Sequence, residues 1–105
     1  MAGNGQTPPP WYTGNIDLFN RPIYKNRDGS ISTVRSMSFY DPKIKKEVLV
    51  PTVARVKGKP TLLTDQQAVN RYYKSGKHLG TFDTIDQANT AAQRIHQQQK
   101  RYYGG

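Results

Sequence analysis

The chain has 105 residues, no cysteine, and sixteen Lys and Arg against seven Asp and Glu, a net charge of +9. That length holds one domain and excludes a multidomain enzyme, and the missing thiols exclude a disulfide framework, a thiolate zinc site and a cysteine nucleophile. The longest apolar stretch, Val48 to Val53, is interrupted by Pro51 and Thr52 and falls far short of the roughly 20 residues that span a bilayer.

A soluble chain with no membrane partner is therefore expected. Met1 is followed by Gly3, Asn4, Gly5 and Gln6 and not by an apolar run, so no secretory signal is expected and the chain should act inside a cell. Residues 1–22 are rich in Gly, Asn, Pro and Thr and predict an extended arm. Pro8, Pro9 and Pro10 favour polyproline geometry, and Trp11 and Tyr12 follow at once. Such a segment suits ordering on a neighbouring chain, with Trp11, Tyr12, Ile16, Leu18 and Phe19 as buried anchors.

Residues 23–105 are expected to form a single α+β domain, a small antiparallel sheet of three to four strands followed by two helices. Ile23, Tyr24 and Lys25 begin a first strand, and Asn26, Arg27, Asp28 and Gly29 make a turn. From Ile31 to Tyr40 the residues alternate, with Ile31, Thr33, Arg35, Met37 and Phe39 sharing one face. Asp41, Pro42 and Lys43 close a second turn, and the β-branched run Glu47 to Val53 suits a central strand buried on both sides. Lys57, Gly58, Lys59 and Pro60 mark a third turn. Two helix starts follow, Thr64 with Gln67 and Thr84 with Gln87, each the pattern of a capping box. Gly76 should terminate the first helix. Ala88, Ala91, Ala92, Ile95, Gln99 and Tyr102 form one stripe of the second, which should run to Tyr103. His78 to Phe82 reads as a short strand or link between the two.

Chemistry-bearing groups are sparse, and the expectation is of no catalytic residue, no cofactor, no metal ligand and no small-molecule substrate. His78 and His96 lack the spacing of a metal site, and Asp83 and Asp86 flank a helix start where negative charge is favourable without any other role. No phosphate-binding loop, nucleophile elbow or dinucleotide fingerprint occurs. Basic residues concentrate at turns: Lys43, Lys45, Lys46, Arg55, Lys57 and Lys59 face one acid, Glu47. Two basic tips at one end of a sheet suit phosphates or an acidic protein surface. Arg35 interrupts an apolar face, and either extends past the core to solvent or meets an acidic partner.

The run Asn26-Arg-Asp-Gly-Ser-Ile-Ser-Thr-Val-Arg-Ser-Met-Ser-Phe39 is the most specific text in the chain. With Glu47-Val-Leu-Val-Pro-Thr-Val53 and Gly76-Lys-His-Leu-Gly-Thr-Phe-Asp-Thr84 in that order, it resembles a family of small modules of tailed bacteriophages. Those modules occur alone or inside very large virion proteins, and the likeness covers roughly Ile16 to Tyr103. It implies a non-enzymatic minor structural protein of the virion, made in the host cytoplasm and docked onto capsid, portal or tail proteins through its arm and sheet surface. The alternatives are a basic DNA-binding phage protein, packaged or early-acting, and an inhibitor of a host enzyme. Leu79 to Thr84 with Ala88 is also similar to the strand-to-helix junction of plant-type three-stranded DNA readers, which supports the DNA alternative.

Overall fold

A computed structural model describes residues 7–104; the Gly-rich start of the expected arm lies outside the described residues. Among the described residues the chain forms seven strands and two helices, in the order β1 (Tyr24–Lys25), β2 (Ile31–Ser32), β3 (Ser36–Asp41), β4 (Lys46–Pro51), β5 (Val53–Val56), β6 (Lys59–Leu62), α1 (Asp65–Ser75), β7 (Gly80–Phe82) and α2 (Ile85–Tyr103). The architecture is α+β with antiparallel pairing throughout, as expected. The strands divide into three small sheets, β1-β2, β3-β4-β7 and β5-β6. No helix among the described residues is long and apolar enough to cross a membrane.

Turn chemistry sets this division. Lys57 and Gly58 both take positive φ, 52° and 79°, the two-residue geometry whose twist matches paired strands, and it closes β5 onto β6. Pro60 is tolerated in β6 because that strand pairs only with β5. Lys45, at φ 57°, closes the four-residue loop between β3 and β4. The continuous strand expected from Ile31 to Tyr40 is broken. Arg35 adopts φ 43°, so Thr33 and Val34 are both buried and the alternation restarts at Ser36. The bend is held from outside the segment, because the Thr52 N–H donates to the carbonyls of Val34 (2.9 Å) and Arg35 (3.2 Å) and the Thr52 hydroxyl also donates to Arg35.

Strand β4 is central, with Phe39 opposite Val48, Met37 opposite Val50, and Gly80 of β7 opposite Leu49. Its alternation sends side chains to two helices. Val48 and Val50 pack with Ala68, Leu63 and Tyr72 on the α1 side, while Leu49 packs with Ile95, Ala91 and Ala92 on the α2 side. Both helices begin with complete capping boxes, on Thr64 with Gln67 and on Thr84 with Gln87, each contributing about 1 kcal/mol. Gly76 ends α1 at φ 73° and Gly104 ends α2 at φ 72°, as left-handed caps.

The segment expected to be an arm is part of the core, and the boundary between residues 22 and 23 separates nothing. Leu18 is 1% exposed and lies among Val34, Leu49, Leu79 and Ile95, with Trp11, Tyr12 and Ile16 packed around that cluster. The reason is steric. The α2 stripe is built largely of alanine, so beside Ile95 the Leu49 face of the sheet keeps apolar surface that larger side chains from residues 11–18 cover. Polar contacts fix the segment along its length. Asn15 N–H donates to the His78 carbonyl (3.0 Å), its Nδ2 to the Gly76 carbonyl (3.0 Å), and its Oδ1 accepts from His78 N–H (2.8 Å). Gly14 passes so close to the backbone carbonyl carbon of Leu79 that a Cβ would lie 2.6 Å from it.

Candidate binding surfaces

The turn of the β1–β2 hairpin is assembled by its own side chains. Asn26 N–H donates to the Ser30 carbonyl (2.8 Å), and Asp28 Oδ1 accepts from the Ser30 hydroxyl (2.6 Å) and N–H (2.9 Å). Those two donors hold the Asp28 carboxyl below the usual carboxylate range. Between this hairpin and the last turns of α2 opens a cleft of about 510 Å³. In its lining, Thr33 donates its hydroxyl to Gln99 Oε1 (2.5 Å), and Gln99 Nε2 donates to the Leu18 carbonyl (2.7 Å). Gln99 thereby ties α2, the β2–β3 bend and the N-terminal segment together from a site only 5% exposed. Arg27, Arg35, His96 and Lys100 also line the cleft, and all four are exposed. The rim is cationic and suited to carboxylate or phosphate oxygens, above a lining that also includes Ile31, Val34 and Tyr103.

The structure separates the residues singled out in the sequence. Arg35 is exposed at the cleft, its direction set by the left-handed bend and not by strand alternation. The five expected anchors are engaged within the chain. Leu18 is core, and Ile16 and Tyr12 border it, the Tyr12 hydroxyl donating to the Ile16 carbonyl (2.8 Å) while burial pushes that phenol up to about 12. Trp11 meets Tyr12 edge-on and lies under the Arg94 guanidinium at 6.0 Å, and Phe19 packs edge-on against Tyr102 at 4.9 Å. Leu18 is fully desolvated by its own domain and has no area left for a neighbour, so its anchor role is withdrawn, while Trp11, Tyr12, Ile16 and Phe19 are half-buried and spend much of their area within the chain.

The basic tips do not share one end of a sheet. Lys43, Lys45 and Lys46 belong to the β3–β4 hairpin and Arg55, Lys57 and Lys59 to the β5–β6 hairpin, in separate sheets joined at Thr52. Lys46 pairs with Asp83 across to the start of α2, and Lys43 Nζ stands 5.4 Å from the Tyr73 ring. Comparison with protein-family models, with curated proteins and with solved structures finds no match.

The acids carry structural duties. Asp41, 2% exposed, accepts from Lys43 N–H (3.0 Å), Tyr72 hydroxyl (2.9 Å) and Tyr73 hydroxyl (3.2 Å). Burial raises its carboxyl, but those three donors outweigh burial and hold it below the usual range. Burial, then the bond to Asp41, pushes Tyr72 up to about 12. Asp17 Oδ1 accepts from Phe19 N–H (2.9 Å), and Asp65 and Asp86 sit in the first turns of the two helices. His78 Nδ1 accepts from Gly80 N–H (2.9 Å), and burial lowers the imidazole, which favours its neutral form. Lys46–Asp83 is the single ion pair among the described residues, so the remaining Lys and Arg have no carboxylate within 4.0 Å there.

Sequence reasoning passed over three residues that matter here, Asn15, Arg21 and Gln99. Their partners lie far along the chain: Gln99 bonds residue 18 across 81 positions, and Arg21 N–H donates to the Tyr103 hydroxyl (2.8 Å) across 82. No local pattern marks such bonds. The one available signal was a lone glutamine on the apolar stripe of α2.

Proposed function

We propose that this chain is a non-enzymatic structural protein of a tailed-phage virion, docking onto capsid, portal or tail proteins through its basic faces and sheet surface. The observation that carries the proposal is the imbalance of partners. The carboxylates serve turns, helix starts and the Tyr72–Tyr73 contact, while the cations stand around clefts and hairpin tips with one ion pair among the described residues. A surface of this kind favours acidic partners, steering encounter and fixing register more than supplying affinity. The phage assignment rests on the three sequence blocks, the first of which, Asn26 to Phe39, contributes most of the hairpin side of the 510 Å³ cleft. Docking here does not use Leu18, which is buried in the chain's own core.

Mass spectrometry of purified particles tests this reading. The chain should be present at a fixed copy number per particle, and its production in infected cells without incorporation refutes the proposal.

A second reading, duplex DNA, is favoured by one feature. The β5–β6 ribbon is two-stranded and antiparallel, and Arg55, Lys57 and Lys59 are all exposed at its tip. A ribbon of that width fits the major groove. Contacts to Z phosphates make log K fall with log salt at a slope near −0.9Z. Absence of DNA retention at low salt removes this reading.

A further inference from the structure

A second cleft, of about 420 Å³, opens between the N-terminal segment, β5 and α1. Its lining brings together Arg21 from the N-terminal segment, Arg55 from β5, Arg71 from α1 and Lys77 just beyond that helix. Asp17 is the single acid lining it, and its Oδ1 already accepts from Phe19 N–H. None of the four cations has a carboxylate within 4.0 Å among the described residues.

Arg21 is the fixed member. Its Nε donates to the Thr33 carbonyl (2.9 Å) and its Nη2 to the Val53 carbonyl (2.6 Å), so the guanidinium plane is held by backbone. Nη1 has no in-chain acceptor among the described residues, and no buried polar atom there lacks one, so Nη1 is open to solvent. Burial lowers Arg21 to about 10, and the like charges of Arg55 and Arg71 push in the same direction. The guanidinium stays charged at neutral pH. Repulsion among three arginines contributed by three elements is a cost that the single carboxylate of the lining, Asp17, offsets only in part, whereas a bound anion would relieve it further.

Charged side chains are the smaller part of the lining. Ile16, Pro51, Ala54 and Leu63, all half-buried, supply an apolar part that a ligand can reach, and the volume lies within the roughly 300–1,000 Å³ of ligand clefts. A free phosphate would leave that apolar part facing water. A peptide with an apolar side chain beside a carboxylate matches both parts. We propose that this cleft is the seat for an acidic peptide segment of a partner protein, its apolar side chain against Ile16, Ala54 and Leu63 and its carboxylates on Arg21, Arg55 and Arg71. The inference rests on the reading of the chain as a docking protein only in taking the partner to be a protein.

The test is fluorescence anisotropy of the full chain with dye-labelled synthetic peptides, Asp-Leu-Asp-Leu-Glu and Asp-Ser-Asp-Ser-Glu. Arg71→Glu and Arg55→Glu alter exposed positions, and circular dichroism confirms that each variant is folded. Each should weaken the leucine peptide by about tenfold or more. The doubly reversed tip variant Lys43→Glu/Lys45→Glu should change it less than about twofold, and the serine peptide should bind about tenfold more weakly. Absence of binding by the leucine peptide overturns the proposal. Equal binding of the two peptides, together with competition by inorganic phosphate at matched concentration, overturns it in favour of a simple anion site. Equal losses from tip and cleft variants overturn it in favour of diffuse charge, and leave the virion reading, tested independently in particles, intact.

Discussion

Replacing Leu18 by alanine separates the two accounts of the N-terminal segment. If residues 1–22 were an arm waiting for a neighbour, the isolated chain would lose nothing. In the structure Leu18 is 1% exposed among Val34, Leu49, Leu79 and Ile95. The change deletes roughly three CH2 equivalents at about 0.8 kcal/mol each, or about 2.4 kcal/mol of transfer free energy. Incomplete collapse of the surrounding side chains brings the expected loss to about 3–4 kcal/mol. A chain of 105 residues has an unfolding entropy near 0.22 kcal/mol/K at its midpoint, so Tm should fall by roughly 14–18 °C. Stability for such a domain is about 5–15 kcal/mol, and the variant should still fold at low temperature. Urea denaturation followed by circular dichroism reads the change directly, with an unchanged m-value reporting the same folded surface. A loss below about 1 kcal/mol places Leu18 outside the core and refutes the reasoning. Deleting residues 1–20, which removes Asn15 as well, should leave a chain without a cooperative transition.

Gln99→Leu should cost about 2–4 kcal/mol by stranding the Thr33 hydroxyl and the Leu18 carbonyl, more than an alanine change at exposed Gln97, and paired urea curves check it. Gly80→Ala should destabilise strongly, because φ there is 140° and the new Cβ would lie 2.7 Å from the Phe82 ring; a Tm equal to wild type would contradict the packing. His78 titrates below its ordinary value because burial favours the neutral form. The unfolded chain therefore takes up the proton first. The contribution of His78 is complete above about pH 6.5 and is lost as pH falls from there towards the folded value, so stability should drop over that window. His78→Asn should remove that part of the pH dependence, as measured by Tm from pH 5 to 8. Asp41→Asn should loosen α1 and remove the Asp41 share of the stability that wild type loses as pH falls below about 4, the share of Asp28 remaining, because each folded carboxylate is held below its unfolded value.

Where local chemistry decides, residue type alone located the element. Thr64 and Thr84 start helices because Gln stands three residues on, and Gly76 ends one because it takes positive φ without penalty. The β-branched run in β4 is buried on both faces, as its composition requires. Of the adjacent tyrosines Tyr72–Tyr73 and Tyr102–Tyr103, Tyr73 and Tyr102 are the exposed members. Neither cleft was legible, because each is lined by segments distant in the chain and held by contacts such as Arg21 to Val53 and Gln99 to Leu18.

From its sequence this chain could be known as one basic α+β domain with two capped helices and a central aliphatic strand, since capping, turn geometry and alternation are short-range properties. Tertiary structure alone decided that Leu18 and Tyr12 complete the chain's own core, that Arg35 breaks a strand, and that three arginines meet. These outcomes depend on which apolar face stays uncovered after the helices dock, a quantity set by the whole packing of side chains and by no single stretch of residues.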